Sequence, residues 1–187
     1  MKNYQITEWC HHFIREHVQP GDCCIDATCG NGNDTQLLCE MVEDSGKVFA
    51  FDIQEAAIAN TKKRLTEAGL IERAEIFLES HVRMGEHVAD DSVSCIVFNF
   101  GYLPGGDHSI ATQKESSVTA IHEGLRLLKK GGIMSLCIYS GGDTGFEERG
   151  AILEELERLD GKEYLVIVSA YFNRKNCPPL PVLIIKL

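Results

Sequence analysis

The sequence predicts an α/β protein built on a doubly wound, mostly parallel seven-stranded sheet that ends in a C-terminal antiparallel hairpin. Three observations predict it. Short apolar runs alternate with longer amphipathic stretches, the pattern of strands linked by crossover helices. A glycine loop, Asp26-Ala27-Thr28-Cys29-Gly30-Asn31-Gly32-Asn33-Asp34-Thr35, joins the first apolar run to the next amphipathic stretch. The last two apolar runs, 163–172 and 181–187, are joined by Asn173–Leu180, too short for a crossover helix, so they pair antiparallel.

Each element has its own signal. Residues 6–18 read as a leading helix, with Ile6, Trp9, Cys10, Phe13, Ile14 and His17 at helical spacing and Pro20-Gly21 as the stop. A strand at 23–28, a helix at 33–43, a strand at 47–52, a helix at 54–68 ended by Gly69, and a strand at 74–79 follow. Residues 93–99 form the next strand and 112–130 a helix. Lys129-Lys130 in its last turn and Gly131-Gly132 just beyond are favourable helix-stop chemistry. A strand at 133–139, a helix at 145–159 and the hairpin complete the outline. No repeat, low-complexity stretch or linker interrupts it, so 1–187 reads as a single domain whose residues 1–20 carry the leading helix.

Composition narrows the function. A chain of 187 residues can bury a sizeable core. Its 28 acidic residues outnumber 18 basic ones, giving a formal charge of −10. That excludes nucleic-acid binding through a basic surface spread over the whole protein; any such contact needs a local patch. Residues 171–187 supply one, with Arg174, Lys175 and Lys186 and no acid, whereas 143–160 carries seven acids and two bases. Lys62-Lys63-Arg64 reads more simply as a solvated helix face. The eight cysteines show no CxxC spacing, and most lie in apolar runs, such as Cys24, Cys95 and Cys137. They read as reduced core thiols. The N-terminal stretch has no signal-peptide core and no apolar run reaches membrane-spanning length, so a cytoplasmic protein without membrane association is expected. In Cys10-His11-His12, neighbouring helical residues point in different directions, so no metal site is expected there.

The outline resembles the class I methyltransferase (Rossmann-like) version of the doubly wound fold. Gly30 and Gly32 let the backbone turn sharply beside the topological switch point, where open α/β sheets bind cofactors. Asp52, the last residue of Phe-Ala-Phe-Asp, can accept two hydrogen bonds from a ribose diol. A dinucleotide loop would need a third glycine, where this chain has Thr35, and Asp26 and Asp34 would repel a pyrophosphate. Both acids suit S-adenosylmethionine, which has no phosphate and carries an ammonium and a sulfonium. Asp34 alone is equally well explained by favourable charge at a helix N-terminus. Glu79-Ser80-His81 follows the third strand, where the fold borders an adenine; Ser80 and His81 either touch the base or belong to a surface turn.

Strand four ends in Asn99-Phe100-Gly101-Tyr102-Leu103-Pro104-Gly105-Gly106-Asp107-His108, similar to the Asn/Asp-Pro-Pro-Tyr motif of amino-group methyltransferases. An amine donates hydrogen bonds. An Asn oxygen and a backbone carbonyl can accept them, aiming the nitrogen lone pair for in-line displacement. Tyr102 can stack on a base or shield the methyl group. An alkylamine also needs proton removal at neutral pH, for which Asp107 and His108 are candidates unless they are merely exposed loop residues. No cysteine lies in this motif, which speaks against a covalent enzyme adduct.

Taken together, DATCGNGNDT, the FDIQ strand end, NFGYLPGGDHS, LLKKGGIMSLCIY and YFNRKNCPPLPVLIIKL resemble the small bacterial rRNA methylase-like family across nearly the whole chain. The resemblance implies a tRNA methyltransferase that converts 5-aminomethyl-(2-thio)uridine at the wobble position to the methylaminomethyl form. It implies cofactor contacts from Asp26, Thr28, Gly30, Asn31, Gly32, Asn33, Asp34, Thr35, Asp52, Ile53, Gln54 and Asn99. It places the acceptor among Asn99, Tyr102, Pro104, Gly105, Gly106, Asp107, Tyr139, Asn173, Asn176, Pro178 and Pro179. The family usually reads Tyr-x-Gly-His after the fifth strand, and here Gly142 stands at the His position, leaving His108 and His81 to take its part. The alternatives are an rRNA or small-amine acceptor, an S-adenosylmethionine-binding module without turnover and, more distantly, a nicotinamide oxidoreductase. A chain of this size would gain RNA footprint by forming a homodimer.

Overall fold

The structure is a computed structural model, and it describes residues 5–101, 114–140, 145–175 and 177–187. Helix α1 (Ile6–His17) leads into β1 (Cys23–Asp26), α2 (Asn33–Val42), β2 (Lys47–Asp52), α3 (Glu55–Ala68) and β3 (Ala74–Leu78). Then come β4 (Val93–Phe100), α4 (Lys114–Leu127), β5 (Leu128–Ile138), α5 (Gly145–Glu157), β6 (Tyr164–Val168) and β7 (Leu180–Lys186). Short 3₁₀ turns at Ile71–Arg73 and His81–Glu86 flank β3.

Among the described residues the strands form one seven-stranded sheet of order β3-β2-β1-β4-β5-β7-β6. β1 to β5 run parallel, and β7 pairs antiparallel with both β5 and β6. The expected hairpin is therefore present, with its second strand inserted between the first and the parallel block. Both faces of the central strands β1, β4 and β5 are covered, which is why they read as continuous apolar runs rather than alternating ones. Ile25, Ile96, Phe98, Phe100 and Met134 pack on one face against Ile121 and Leu125 of α4 and Ile152 and Leu156 of α5. Cys24, Cys95, Val97 and Ile133 pack on the other against Ile14 of α1, Leu38 and Val42 of α2 and Leu65 of α3. Cys10, Cys24, Cys29, Cys39, Cys95 and Cys137 are buried and unbridged, Cys23 is half-buried and Cys177 is exposed.

Three boundaries differ from expectation. β1 stops at Asp26, and Ala27 and Thr28 already belong to the turn above it. The helix expected over 112–130 ends at Leu127, because Leu128 pairs with Val93 and opens β5. Pairing resumes at Ile133 opposite Cys95, so Lys129–Gly132 bulge out against Ser94 alone. Gly131 there has φ +78°, and the Lys129 ammonium bonds Asp22 at 2.8 Å rather than capping a helix. The run expected over 163–172 leaves the sheet after Val168, and Phe172 is fully exposed.

A Cβ added at Gly132 would lie 2.9 Å from both the Lys129 and Val93 carbonyl oxygens. Backbone cannot give way as a side chain can, so Gly132→Ala should lower stability by about 1–3 kcal/mol, measured by chemical denaturation.

Candidate active site

The connections after β1 and β4 leave for opposite faces of the sheet, so a crevice opens between the carboxyl ends of these neighbouring strands. The glycine loop, the end of β2, the turn after β3 and the end of β4 all meet at this end of the sheet.

The loop is held from within and from the side. The Cys29 N–H donates to the Phe51 carbonyl at 2.9 Å, and the Gly32 N–H closes a turn on the Cys29 carbonyl at 2.7 Å. Gly32 has φ +76°, and a Cβ there would meet the Thr61 Cα at 2.9 Å, so this glycine is required for packing against α3. From α3, the Thr61 hydroxyl donates to the Gly30 carbonyl at 3.1 Å and the Arg64 guanidinium to the Asn31 carbonyl at 2.7 Å. Asn60 donates to the Asn31 side chain at 2.9 Å. Arg64 is thus a loop brace, half-buried, and not part of the solvated face expected for Lys62-Lys63-Arg64; Lys62 and Lys63 are exposed. Nothing local in the sequence signals this brace, because its partners lie on different elements.

Each acid of the crevice has its own fixed partners. Asp52 accepts the Gly30 N–H on one oxygen and the Gln54 N–H on the other, both at 3.0 Å, tying the loop to the end of β2. Next to it Ile53 is 57% exposed, and Asn33 is exposed at the start of α2. Asp26 is fully buried and accepts the Thr35 hydroxyl at 2.6 Å and the Thr28 N–H at 3.2 Å. Burial first, and then the charge of Asp34, push its carboxyl up to about 7 against those two bonds. Asp34 accepts from the His11 imidazole at 2.5 Å on one oxygen and from the Asn99 amide at 2.7 Å on the other. The Asn99 N–H donates to the Thr28 hydroxyl at 2.7 Å. Asp34 therefore links α1, the start of α2 and the end of β4, a role its position in the loop did not reveal. His11, set aside with Cys10 and His12, belongs to this cluster.

On the far side of the crevice, Ser80 accepts the Val82 N–H at 3.5 Å, and His81 starts the 3₁₀ turn. His81 is buried edge-on against Phe98 and Phe100, and its Nε2 has no partner among the described residues. Burial holds its imidazole down at about 4 despite a hydrogen bond with the Ala27 backbone. That makes it a poor proton acceptor at neutral pH. Tyr139, at the end of β5, donates its N–H to the Phe100 carbonyl at 3.0 Å and lies beneath Gly101.

The loop 169–179 reaches the same end, because Leu180 pairs with Ile138 at the carboxyl end of β5. Tyr171, Asn173, Arg174, Lys175 and Pro178 line an open groove there of about 430 Å³. Pro179 follows, half-buried. Lys186 does not join Arg174 and Lys175. It lies at the opposite end of the sheet, bonded to Asp91 at 2.7 Å and to the Leu125 and Leu128 carbonyls. Tyr102, Pro104, Gly105, Gly106, Asp107, His108, Gly142 and Asn176 lie outside the described residues.

A sheet of this order, with an acid-lined glycine loop at its switch point and an Asn at the end of the fourth strand, is that of a class I methyltransferase. Residues 48–185 match the family described as "Putative rRNA methylase", and the chain belongs to that family. It is 40% identical over 190 residues to the chloroplastic tRNA (mnm(5)s(2)U34)-methyltransferase of Arabidopsis thaliana, covering 96% of this chain and 68% of that one. The crystal structure of a "putative rRNA-methylase" from Clostridium thermocellum superposes with a TM-score of 0.97 at 43% identity, covering 100% of both chains. The crystal structure of "a putative methyltransferase" from Streptococcus mutans in complex with SAH superposes with a TM-score of 0.90 at 32% identity over 99% of each chain.

Because the Asp26 carboxyl is raised by burial, its ionisation disfavours the fold. The native state holds this proton up to about pH 7, while the unfolded chain releases it near pH 4. Wild-type stability should therefore fall between these values relative to Asp26→Asn, by on the order of 1–4 kcal/mol, and level off above about pH 8. Urea titrations of both proteins across that range measure it; a pH-independent difference would contradict the assignment.

Proposed function

We propose that the chain methylates the aminomethyl nitrogen of 5-aminomethyl-(2-thio)uridine at the tRNA wobble position, using S-adenosylmethionine and direct displacement. The observation that carries this reading is the oriented amide of Asn99. Its Nδ2 donates to Asp34 and its backbone N–H to Thr28, which leaves the Oδ1 as an acceptor at the end of β4. An amine presents donors, so an acceptor held by rigid elements is what aims its lone pair. The name of the Arabidopsis relative supports the acceptor class.

The crevice fits an adenosyl cofactor. Asp52 is held by two backbone N–H groups and is only partly buried, so it keeps lone pairs for a ribose diol. Ile53 offers an exposed apolar face beside it, and the unpartnered Nε2 of His81, next to Ser80, is a buried acceptor that a ligand donor would complete. Thr28, Gly30, Asn31, Gly32, Asn33 and Thr35 shape the loop, with Asp26 behind it. When bound, the cofactor supplies an electrophilic methyl on a sulfonium. Asn99 would aim the amine, with Tyr102 beside it, and Asp107 or His108 would take the proton that a neutral amine must first lose. Pro104, Gly105, Gly106, Tyr139, Asn173, Asn176, Pro178 and Pro179 would shape the acceptor pocket.

Arg174 and Lys175, exposed in the groove with Asn173, supply the local cationic patch that an acidic chain needs for phosphate contacts in the anticodon region. In this reading 1–187 works as one domain in the cytoplasm, and a homodimer would widen the RNA footprint. Among the described residues no helix is long and apolar enough to cross a membrane.

The test is mass spectrometry of nucleosides from tRNA taken from cells that stop at the aminomethyl stage, incubated with protein and S-adenosylmethionine. One added methyl on 5-aminomethyluridine is expected. Cofactor binding without that product would turn the acceptor to rRNA or small amines. Asp52→Ala should weaken cofactor binding at least about tenfold by calorimetry. Asn99→Ala should leave binding within about twofold and cut kcat about a hundredfold; full turnover would remove Asn99 from the amine-aiming role.

A further inference from the structure

We infer that His11, from the leading helix, is a positioning residue for the acceptor amine: through Asp34 it fixes which end of the Asn99 amide is offered to the substrate. This rests on the proposed role of Asn99.

The argument begins with an ambiguity built into any amide. A half-turn of the Asn99 side chain exchanges its oxygen for its NH₂ group, and an NH₂ group facing an amine donor would repel it. The orientation that serves is set by what lies on the other side. Asp34 offers acceptors only, so it selects the NH₂ end of Asn99, at 2.7 Å. A carboxylate can itself rotate and turn its oxygens elsewhere, and the His11 Nε2, at 2.5 Å on the other oxygen, prevents this. The imidazole and carboxylate side chains are 13% and 15% exposed, so water competes little for either.

His11 is itself anchored. Ile14, fully buried one turn further along α1, packs on the sheet, and Cys10 is buried beside it. The cavity enclosed by His11, Asp34, Asn99, Cys10 and Cys137 has a volume of about 10 Å³, about the room of one water, which leaves the three polar side chains little freedom. Among the described residues the charged groups around the ring are Glu8 and Arg15 on its own helix and Asp34 across from it. Burial lowers the ring's proton affinity, but the bond and charge of Asp34 outweigh burial and leave it raised. Asp34 therefore favours the protonated ring, the form that pairs with it as an ion.

A double-mutant cycle on the full chain tests this, with the undermodified tRNA as substrate. His11→Phe should lower kcat about tenfold while cofactor affinity stays within about twofold, and His11→Gln, which keeps an N–H donor, should recover most of the loss. In an Asn99→Ala background, His11→Phe should cost nothing further, because there is no amide left to orient. An equal loss in both backgrounds, or full turnover of His11→Phe, would overturn the inference. An inactive wild type would instead overturn the acceptor reading on which it rests. By NMR the His11 ring should titrate above an ordinary histidine and fall back in Asp34→Asn; an unmoved midpoint would break the link. That arm needs no substitution at His11 and holds even if His11→Phe fails to fold.

Discussion

The hydrogen bond from the Asn99 N–H to the Thr28 hydroxyl is the interaction on which the site depends. Below it β1 and β4 are joined by ordinary ladder pairing, the last bond running from the Ala27 N–H to the Val97 carbonyl. Above it the two chains must part, because the helices that follow pack on opposite faces of the sheet. A parting pair of strands leaves backbone donors without partners, and a buried donor left unpaired is costly. A side-chain hydroxyl takes the place of the missing carbonyl, and the crevice starts where that substitution is made.

Everything chemical in the crevice is arranged around that seam. Asp26 ends the ladder, deep enough that burial disfavours its charge. Asp52 ends the neighbouring strand and collects backbone N–H groups from both sides. Asp34, at the start of α2, carries the contacts that cross between elements. Three carboxyl groups this close would repel one another if all were charged and unpaired. The structure separates them by burial for the first, backbone donors for the second and an imidazole for the third. An aspartate-rich loop is thus converted into three differently disposed acids, a division of labour suited to a ligand that is cationic at one end and polar at the other.

The loop owes its shape to α3 as much as to its glycines. Thr61 and Arg64 hold the Gly30 and Asn31 carbonyls, and Gly32 is a glycine because α3 lies against it. Opposite, Arg174 and Lys175 stand on a loop that leaves the hairpin at the same end as the acids, so the cationic patch and the crevice share one rim. Lys186, close to them in composition, is carried to the other end because β7 runs antiparallel to β5.

The amino-acid sequence by itself determined the α/β class, the seven strands, the terminal hairpin, the glycine loop and the acids that end β1 and β2. These follow from local periodicity and from residues that punctuate a chain, such as Gly69 after α3 and Pro20-Gly21 after α1. Only the tertiary structure decided the rest. It split Lys129–Gly132 from the helix, since pairing of Leu128 with Val93 outweighs helix-stop chemistry that reads equally well from either side. It took Arg64 out of a charged run to brace a loop, and Lys186 away from the rim. It also turned His11 from the middle of an unremarkable Cys-His-His cluster into the partner of Asp34. Each of these depends on contacts between residues far apart in the chain, and such contacts leave no periodicity to read.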